Sequence, residues 1–262
     1  DLHSFPTRRS SDLQLGKMMS VLYKKSDSFN DAAFTFCPGC THGVILKSVI
    51  DVIDDMNLAG DAIAIGCVGC GGYMPWFMNI DTIYSLHGRA PANATGVKRM
   101  NQDKLVFTYQ GDGDLASIGT AEIVHAAHRG EKITAIFVNN ATYGMTGGQM
   151  APTTLAGQKT TTSPYGRDEQ HCGLPIRMCE LLATIDGAKF IERCAANTPA
   201  NVRKMRKAIA RAFECQQNGL GFSMVEVLST CPTNWGLSPI DALKSLEEDM
   251  LPYYPLGNFK NF

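Results

Sequence analysis

The sequence predicts an α/β fold with a doubly wound, mostly parallel sheet. Short apolar runs rich in strand-forming residues alternate with segments whose apolar residues recur at helical spacing. Strands and helices in this alternation form parallel sheets with right-handed crossovers. The sequence has no linker or low-complexity tract, so we expect residues 18–262 to form one domain.

The elements follow in order along the chain. Before residue 105 we predict a helix over 43–56, a strand over 61–65, a short apolar element over 80–86 and a helix over 92–100. A β-α-β unit follows, with a buried strand at 105–110, a helix at 117–129 and a strand at 133–138. Residues 141–167 are rich in Gly, Thr, Pro and Gln, and a loop of this length is usually functional or mobile. The last elements are predicted as a helix at 176–184, a strand at 189–194, a basic helix at 199–217 and a strand at 222–228.

Composition excludes some classes of function. The 262 residues carry a net charge of −1, which gives no basic surplus for nucleic acid. No apolar run reaches the roughly 18–20 residues that a membrane span requires. Nine cysteines without a secretion signal indicate a reducing cytoplasm. Residues 1–17 have no regular period and in part resemble translated adaptor sequence, so we expect a foreign or disordered lead.

A carboxylate and an amide follow two of the predicted strands. Asp112 lies between two glycines after the strand at 105–110, and Asn140 follows the strand at 133–138. Open α/β sheets bind ligands at the carboxyl ends of their strands, and glycine lets the backbone approach a ligand. Hard oxygen ligands suit Mg²⁺, with phosphate oxygens completing its shell. Asp-Gly and Asn-Asn also form ordinary turns, but the paired strand ends favour a metal–diphosphate site.

Cys37 and Cys40 form a C-x-x-C pair around a Pro-Gly turn. Alone, the pair fits a redox dithiol, half of a zinc site, half of an iron–sulfur site or chance. Cys67 and Cys70 form a second such pair, so a zinc site with four cysteines is a competing hypothesis. Four cysteines without ligand spacing are predicted to be small buried residues: Cys172, Cys179, Cys194 and Cys215.

Three longer strings resemble one family. They are FCPGCTHG at 36–43, LHGRAPANATG at 86–96 and YGMTGGQ at 143–149. With the Gly-Asp-Gly and Asn-Asn signature of thiamine diphosphate enzymes, they resemble the β subunit of the 2-oxoacid:ferredoxin oxidoreductases, from about Met18 to the C-terminus. The resemblance implies the diphosphate-binding fold of thiamine enzymes.

The resemblance also implies three cofactors, which are thiamine diphosphate, Mg²⁺ and one [4Fe–4S] cluster. Mg²⁺ would be held by Asp112, Asn140 and the backbone carbonyl of Thr142. The cluster would be held by Cys37, Cys40, Cys67 and Cys231, whereas Cys70 stands where some relatives have a lysine. The residues implied to bind the cofactor are His42, His87, Gly88, Arg89, Gly111, Asp112, Gly113, Asn140, Tyr143, Gly144, Met145 and Thr146.

The activity implied is the oxidative decarboxylation of a 2-oxo acid with CoA to acyl-CoA, CO₂ and reduced ferredoxin. Thiamine enzymes need a Glu on a pyrimidine-binding domain, and this length leaves no room for that domain. We therefore expect the Glu on a partner α subunit, with or without γ and δ subunits, and assign no catalytic residue here. The alternatives are a non-oxidative thiamine-dependent decarboxylase subunit, which would not need the cluster cysteines, and a non-catalytic zinc or iron–sulfur module.

Charge gives the only indication of the substrate. Cys70 stands where a cationic contact to a substrate carboxylate is expected, and residues 144–149 and 151–154 carry no charge. An uncharged pocket does not easily offset the desolvation of a second carboxylate. A branched-chain 2-oxo acid is therefore favoured slightly over 2-oxoglutarate.

Overall fold

The structure is a computed structural model that describes residues 24–262. The strands are β1 (Ala62–Gly66), β2 (Asp81–Tyr84), β3 (Leu105–Gly111), β4 (Thr134–Asn139), β5 (Ala188–Ala195), β6 (Phe222–Leu228) and β7 (Gly257–Lys260). The α-helices are α1 (His42–Asp55), α2 (Ala90–Met100), α3 (Thr120–His128), α4 (Glu169–Cys172), α5 (Met178–Ala183), α6 (Pro199–Gln217), α7 (Pro232–Trp235), α8 (Pro239–Ser245) and α9 (Leu251–Tyr253). The expectation for residues 1–17 lies outside the described residues.

The seven strands form one sheet in the order β2-β1-β3-β4-β6-β5-β7. All neighbours pair in parallel except β7, which runs antiparallel to β5. The chain passes from β1 to β2 on one side and then returns to β3 on the other side of β1. This reversal creates the crevice where open α/β sheets bind ligands, and the predicted α/β class is confirmed.

Helices cover both faces of the sheet. One apolar cluster packs the sheet under α1 and α6, and a second packs the opposite face under α2, α3 and α5. Both faces are covered, and the central strands β1, β3, β4 and β6 are therefore apolar almost throughout. Within residues 24–262, no helix is long and apolar enough to cross a membrane.

The sequence pattern predicts most elements but not all. The helix at 199–217 and the strand at 222–228 coincide with α6 and β6. The helix predicted at 117–129 instead starts as a π-helical turn at Asp114–Ile118 and continues as α3. The C-terminal elements α7, α8, α9 and β7 were not predicted, because short helices and a polar edge strand lack a long apolar period.

Candidate functional site

A cleft opens at the carboxyl ends of β1, β3 and β4, with a cavity volume of about 70 Å³. It contains every residue predicted to bind the cofactor except Gly88 and Arg89. Its lining residues are His42, Val68, Gly69, Cys70, Gly71, His87, Gly111, Asp112, Gly113, Asp114, Asn140, Thr142, Tyr143, Gly144, Met145 and Thr146. The sheet thus brings residues from distant parts of the sequence to one edge.

Two side-chain oxygens converge at the floor of this cleft. The backbone N–H of Thr142 donates to Asp112 Oδ2 at 3.1 Å and to Asn140 Oδ1 at 3.2 Å. Because one N–H reaches both, the carboxylate after β3 and the amide after β4 lie within reach of one small ligand. Thr153 Oγ1 donates to Asp112 Oδ2 at 2.9 Å, and the Gly113 N–H donates to Asp112 Oδ1 at 2.8 Å.

Burial makes the Asp112 carboxylate a favourable place for a cation. The side chain is only 3% exposed, and desolvation raises the pKa of Asp112 to about 6, partly opposed by its hydrogen bonds. A divalent cation would compensate this buried charge, so the donor set fits Mg²⁺. Among residues 24–262, no three His, Cys, Asp or Glu side chains are already grouped so that they could hold a single metal ion. The Mg²⁺ set differs from such a group, because it combines a carboxylate, an amide and a backbone carbonyl.

Gly113 allows the ring of Tyr143 to lie against the backbone. A Cβ atom at Gly113 would be 2.3 Å from Cε1 of Tyr143, which no side chain can accommodate. The Tyr143 hydroxyl donates to Ser117 Oγ at 2.6 Å, which fixes the ring over the turn that follows β3. The second glycine of the Gly-Asp-Gly string is therefore required by a close contact.

Asp114 was missed by the sequence reasoning, although it follows the Gly-Asp-Gly string directly. The side chain is 2% exposed and accepts hydrogen bonds from the Gly88 N–H at 2.9 Å and from Gln110 Nε2 at 2.6 Å. It also contacts Nδ1 of His87. Asp114 therefore ties the 87–88 turn to the end of β3 and places His87 at the cleft.

Gly88 and Arg89 do not line the cleft. Gly88 has φ +76°, and a Cβ there would lie 2.7 Å from the backbone of Gly119, so its role in the structure is close packing. The Arg89 side chain is 43% exposed and pairs with Glu122. The structure thus places the Arg89 charge against a carboxylate of α3.

His42 begins α1 and is buried beneath the cleft. Its Nδ1 is hydrogen-bonded to the Tyr109 hydroxyl at 2.9 Å, and its ring stacks on Phe36 with centroids 5.2 Å apart. Burial lowers the pKa of His42 to about 4, so the imidazole is neutral at pH 7. His42 can therefore exchange hydrogen bonds with a ligand but brings no positive charge.

The C-x-x-C turn packs against the end of β6. Thr230 Oγ1 donates to the carbonyl of Gly39 at 2.8 Å, and the Thr230 N–H donates to Thr41 Oγ1 at 3.3 Å. These bonds hold Cys37 and Cys40 beside Cys231, the next residue after Thr230. The Cys231 Sγ accepts a hydrogen bond from Asn234 Nδ2 at 3.2 Å.

Cys67 and Cys70 take different positions. A Cβ at Gly144 would be 3.3 Å from Cys70 Sγ and 3.5 Å from Cys231 Sγ, so both sulfurs lie close to this glycine. Cys67 is 2% exposed, and a Cβ at Gly71 would come within 2.9 Å of its Sγ. A side chain at either glycine would therefore crowd these sulfurs.

Four thiols at this edge have raised pKa values. Burial, with smaller contributions from the neighbouring cysteines, raises the pKa of Cys40 to about 12 and of Cys70 to about 11. Burial also raises the pKa values of Cys67 and Cys231. A soft metal that binds here must therefore displace protons.

The remaining cysteines follow the sequence prediction with one exception. Cys179, Cys194 and Cys215 are buried, as predicted. Cys172 is exposed, so its prediction is wrong. It ends the four-residue helix α4, which is too short to carry a buried face.

A second cavity of about 610 Å³ lies toward the C-terminal helices. Lys159 and Trp235 line it, together with Glu248 and Asp249. The positive charge of Lys159 thus lines a cavity other than the cleft at Asp112.

Comparison with known proteins identifies relatives of the whole described domain. The family described as thiamine pyrophosphate enzyme, C-terminal TPP binding domain, matches residues 64–227. Ketoisovalerate oxidoreductase subunit VorA of Methanothermobacter thermautotrophicus is 43% identical over 254 residues, which cover 93% of this chain and 53% of that protein. The chain therefore spans about half the length of this relative.

This chain matches a larger share of two further relatives. The 2-oxoglutarate synthase subunit KorB of Archaeoglobus fulgidus is 39% identical, over 82% of this chain and 76% of that protein. The solved 2-oxoglutarate:ferredoxin oxidoreductase from Magnetococcus marinus, with 2-oxoglutarate, coenzyme A and succinyl-CoA bound, has a TM-score of 0.78 and 28% identity. That similarity covers 94% of this chain and 87% of the other.

Proposed function

Because the chain belongs to the thiamine pyrophosphate-dependent 2-oxoacid:ferredoxin oxidoreductase family, we propose that it is the subunit that holds the cofactor diphosphate and an iron–sulfur cluster. The observation that carries this proposal is the Thr142 N–H shared between Asp112 and Asn140. Two hard oxygens from neighbouring strands would hold Mg²⁺ there, with the Thr142 carbonyl as the third protein ligand. The glycines at 111, 113 and 144 would let the diphosphate approach the backbone.

A [4Fe–4S] cluster would bind at the cysteines of the same sheet edge. The proposed ligands are Cys37, Cys40, Cys67 and Cys231, which is a set of four thiolates as such clusters require. Thr230 is hydrogen-bonded to Gly39 and Thr41, at and just after the C-x-x-C turn, and this supports the grouping of Cys37 and Cys40 with Cys231. Cys70, whose sulfur lies near Gly144 as that of Cys231 does, stays outside this set.

Thiamine diphosphate would supply an electron sink for the decarboxylation of a 2-oxo acid. The chain's own residues would position it: Tyr143 is fixed by Ser117, His87 by Asp114, and the neutral His42 lies below. The overall reaction proposed converts a 2-oxo acid and CoA to acyl-CoA and CO₂ with reduction of ferredoxin. Cysteines beside the cleft favour this oxidative reaction over a non-oxidative decarboxylation, which has no use for a cluster.

A partner subunit would complete the site. Ligand sites are commonly about 300–1,000 Å³, whereas the cleft at Asp112 measures about 70 Å³. We therefore infer that an α subunit with the pyrimidine-binding domain covers this edge and brings the activating Glu. All nine cysteines are free, which supports a reducing cytoplasm as the compartment.

The substrate follows from the charges around the cleft. Among the described residues, those that line the cleft include no lysine or arginine. Arg89 pairs with Glu122, and Lys159 lines the other cavity. A branched-chain 2-oxo acid would need no cation for a second carboxylate, so we favour it over 2-oxoglutarate.

The test is anaerobic purification of the chain with its partner subunits. We expect brown protein with about four iron atoms per chain and thiamine diphosphate binding that requires Mg²⁺. Zinc without iron would support the structural zinc module instead. Decarboxylation without viologen or ferredoxin reduction would support the non-oxidative enzyme.

Side-by-side reduction assays with 2-oxoisovalerate, 2-oxoglutarate and pyruvate test the substrate. A kcat/KM for 2-oxoglutarate tenfold above the others, or about 1.4 kcal/mol of discrimination, would reject the branched-chain preference.

A further inference from the structure

Three buried polar side chains cross neighbouring strands behind the Asn139-Asn140 turn. Asn139 ends β4, Glu226 lies in β6, and Arg193 lies in β5. Glu226 Oε1 accepts from Asn139 Nδ2 at 2.8 Å, and Glu226 Oε2 accepts from Arg193 Nε at 2.8 Å. Because apolar residues can often replace a buried ion pair without loss of stability, stability alone is a weak explanation for this chain of contacts.

At one end of this row of hydrogen-bonded side chains, Asn139 holds the backbone of the turn at residues 139–142. Asn139 Oδ1 accepts from the Ala141 N–H at 3.1 Å, and Thr154 Oγ1 donates to the Ala141 carbonyl at 2.7 Å. Ala141 has φ +56°, a left-handed conformation that residues with a Cβ disfavour. The next residue is Thr142, whose N–H joins Asp112 and Asn140.

We propose that Glu226 and Arg193 are positioning residues that fix the Asn139 amide, and through Ala141 the two oxygens that face each other at Thr142. This inference rests on the proposed role of Asp112 and Asn140 as Mg²⁺ ligands. Neither Glu226 nor Arg193 lines the cleft, so both act through the turn.

The two acceptor oxygens of Glu226 explain why a carboxylate is needed at this position. The Asn139 amide donates to Oε1 and the Arg193 guanidinium to Oε2, and the Cys179 thiol is a third polar neighbour. A carboxylate has two acceptor oxygens, whereas an amide has one oxygen and one NH₂ group. In Glu226→Gln the guanidinium takes the oxygen, the NH₂ then faces Asn139, and the Asn139 amide must rotate. Ala141 thereby loses its acceptor.

Glu180 supplies a matched control. Its Oε2 accepts from Arg193 Nη2 at 2.6 Å and its Oε1 from Arg193 Nη1 at 3.0 Å. Glu180→Gln and Glu226→Gln therefore each remove one carboxylate that pairs with the guanidinium of Arg193. Only Glu226 also contacts Asn139.

The experiment measures the Mg²⁺ concentration that gives half-maximal thiamine diphosphate binding to the assembled complex, with the Tm of each variant alongside. We expect Glu226→Gln to raise this concentration about tenfold, the lower end of the effect of losing an outer contact to a metal ligand, because Glu226 reaches the ligands only through Asn139 and Ala141. Glu180→Gln should lower the Tm but leave the Mg²⁺ requirement unchanged. Equal Mg²⁺ requirements in the two variants would overturn the inference.

A second variant covers the case in which Glu226→Gln does not fold. Arg193→Met with Glu226→Leu removes both buried charges together, which such sites tolerate better than one charge left alone, yet Asn139 still loses its acceptor. The same rise in the Mg²⁺ requirement is expected, and a wild-type requirement would refute the positioning role. If the wild-type complex binds no thiamine diphosphate with Mg²⁺, the proposed function fails instead.

Discussion

The oxygen site proposed at Asp112 and Asn140 and the cysteine site proposed at Cys37, Cys40, Cys67 and Cys231 lie at the same sheet edge but are organised to different degrees. At the oxygen site, Asp112 and Asn140 are held by hydrogen bonds from Thr142, Thr153 and Gly113. At the cysteine site, the sulfurs come from three segments of the chain, and Asn234 donates to the sulfur of Cys231. The fold therefore builds the oxygen site in advance and brings the sulfurs only into the same neighbourhood.

The chemistry of the two ligand types explains this difference. Carboxylate and amide oxygens accept strong hydrogen bonds from the backbone, so the fold can orient them without an ion. A thiol is a weak donor and acceptor, and its burial favours the protonated form. A thiolate set is thus completed by the metal that deprotonates it.

The largest expected effect separates the two sites. Asp112→Ala should abolish Mg²⁺-dependent thiamine diphosphate binding, beyond the 10–100-fold typical of outer-shell contacts, because the diphosphate charge loses its metal. Iron content should stay at the wild-type level. Calorimetry of the assembled complex measures the first and metal analysis the second, with the surface variant Asp61→Ala as control. Unchanged cofactor affinity would show that the oxygen site is assigned wrongly.

The converse variant removes a ligand of the cysteine site. Cys231→Ser should lose the cluster or make it labile, because a serine hydroxyl replaces one of four thiolates. Cys70→Ser should retain the cluster and Cys67→Ser should lose it, measured as iron per chain and by the visible spectrum. Iron kept in Cys67→Ser and lost in Cys70→Ser would move the fourth ligand to Cys70, whose sulfur lies near Gly144 as that of Cys231 does.

Two glycines test how tightly the oxygen site is built. Gly113→Ala places a Cβ 2.3 Å from the Tyr143 ring, whereas a Cβ at Gly111 meets its nearest atom, the carbonyl oxygen of Val138, at 4.0 Å. We expect Gly113→Ala to lower the free energy of unfolding by about 1–3 kcal/mol and to weaken cofactor binding. Gly111→Ala should lower the free energy of unfolding by less, and chemical denaturation of both variants measures the difference. Equal losses would mean that the Tyr143 contact is not what requires glycine.

The most gradual effect is a pH dependence of the oxygen site. Burial raises the pKa of Asp112 from its usual 3.8 to about 6, so without metal the folded state binds more protons than the unfolded state between these values. Stability of the metal-free protein should therefore fall as pH rises through this window. Mg²⁺ binds the ionised form, so its affinity should fall below pH 6, approaching tenfold per pH unit. Asp112→Asn should remove the stability slope, and a slope that persists would assign it to another group.

The sequence alone determined the elements that carry the oxygen ligands. Apolar runs bounded by glycine or asparagine fix β3 and β4 as buried strands, and parallel strands end at a common edge. Asp112 and Asn140 could therefore be placed together before any contact was known. The local pattern of apolar residues was sufficient to place these two ligands together, because β3 and β4 are joined by a single helix and are neighbours in the sheet.

Only the tertiary structure decided what surrounds those ligands. In sequence, Glu226 and Arg193 are polar residues within two strands, and nothing local shows that β6 lies between β4 and β5. That strand order brings both side chains behind Asn139, just as the return of the chain from β2 brings His87 to Asp114. Element type follows from the spacing of neighbouring residues, whereas strand order and side-chain contacts depend on packing between residues far apart in the chain.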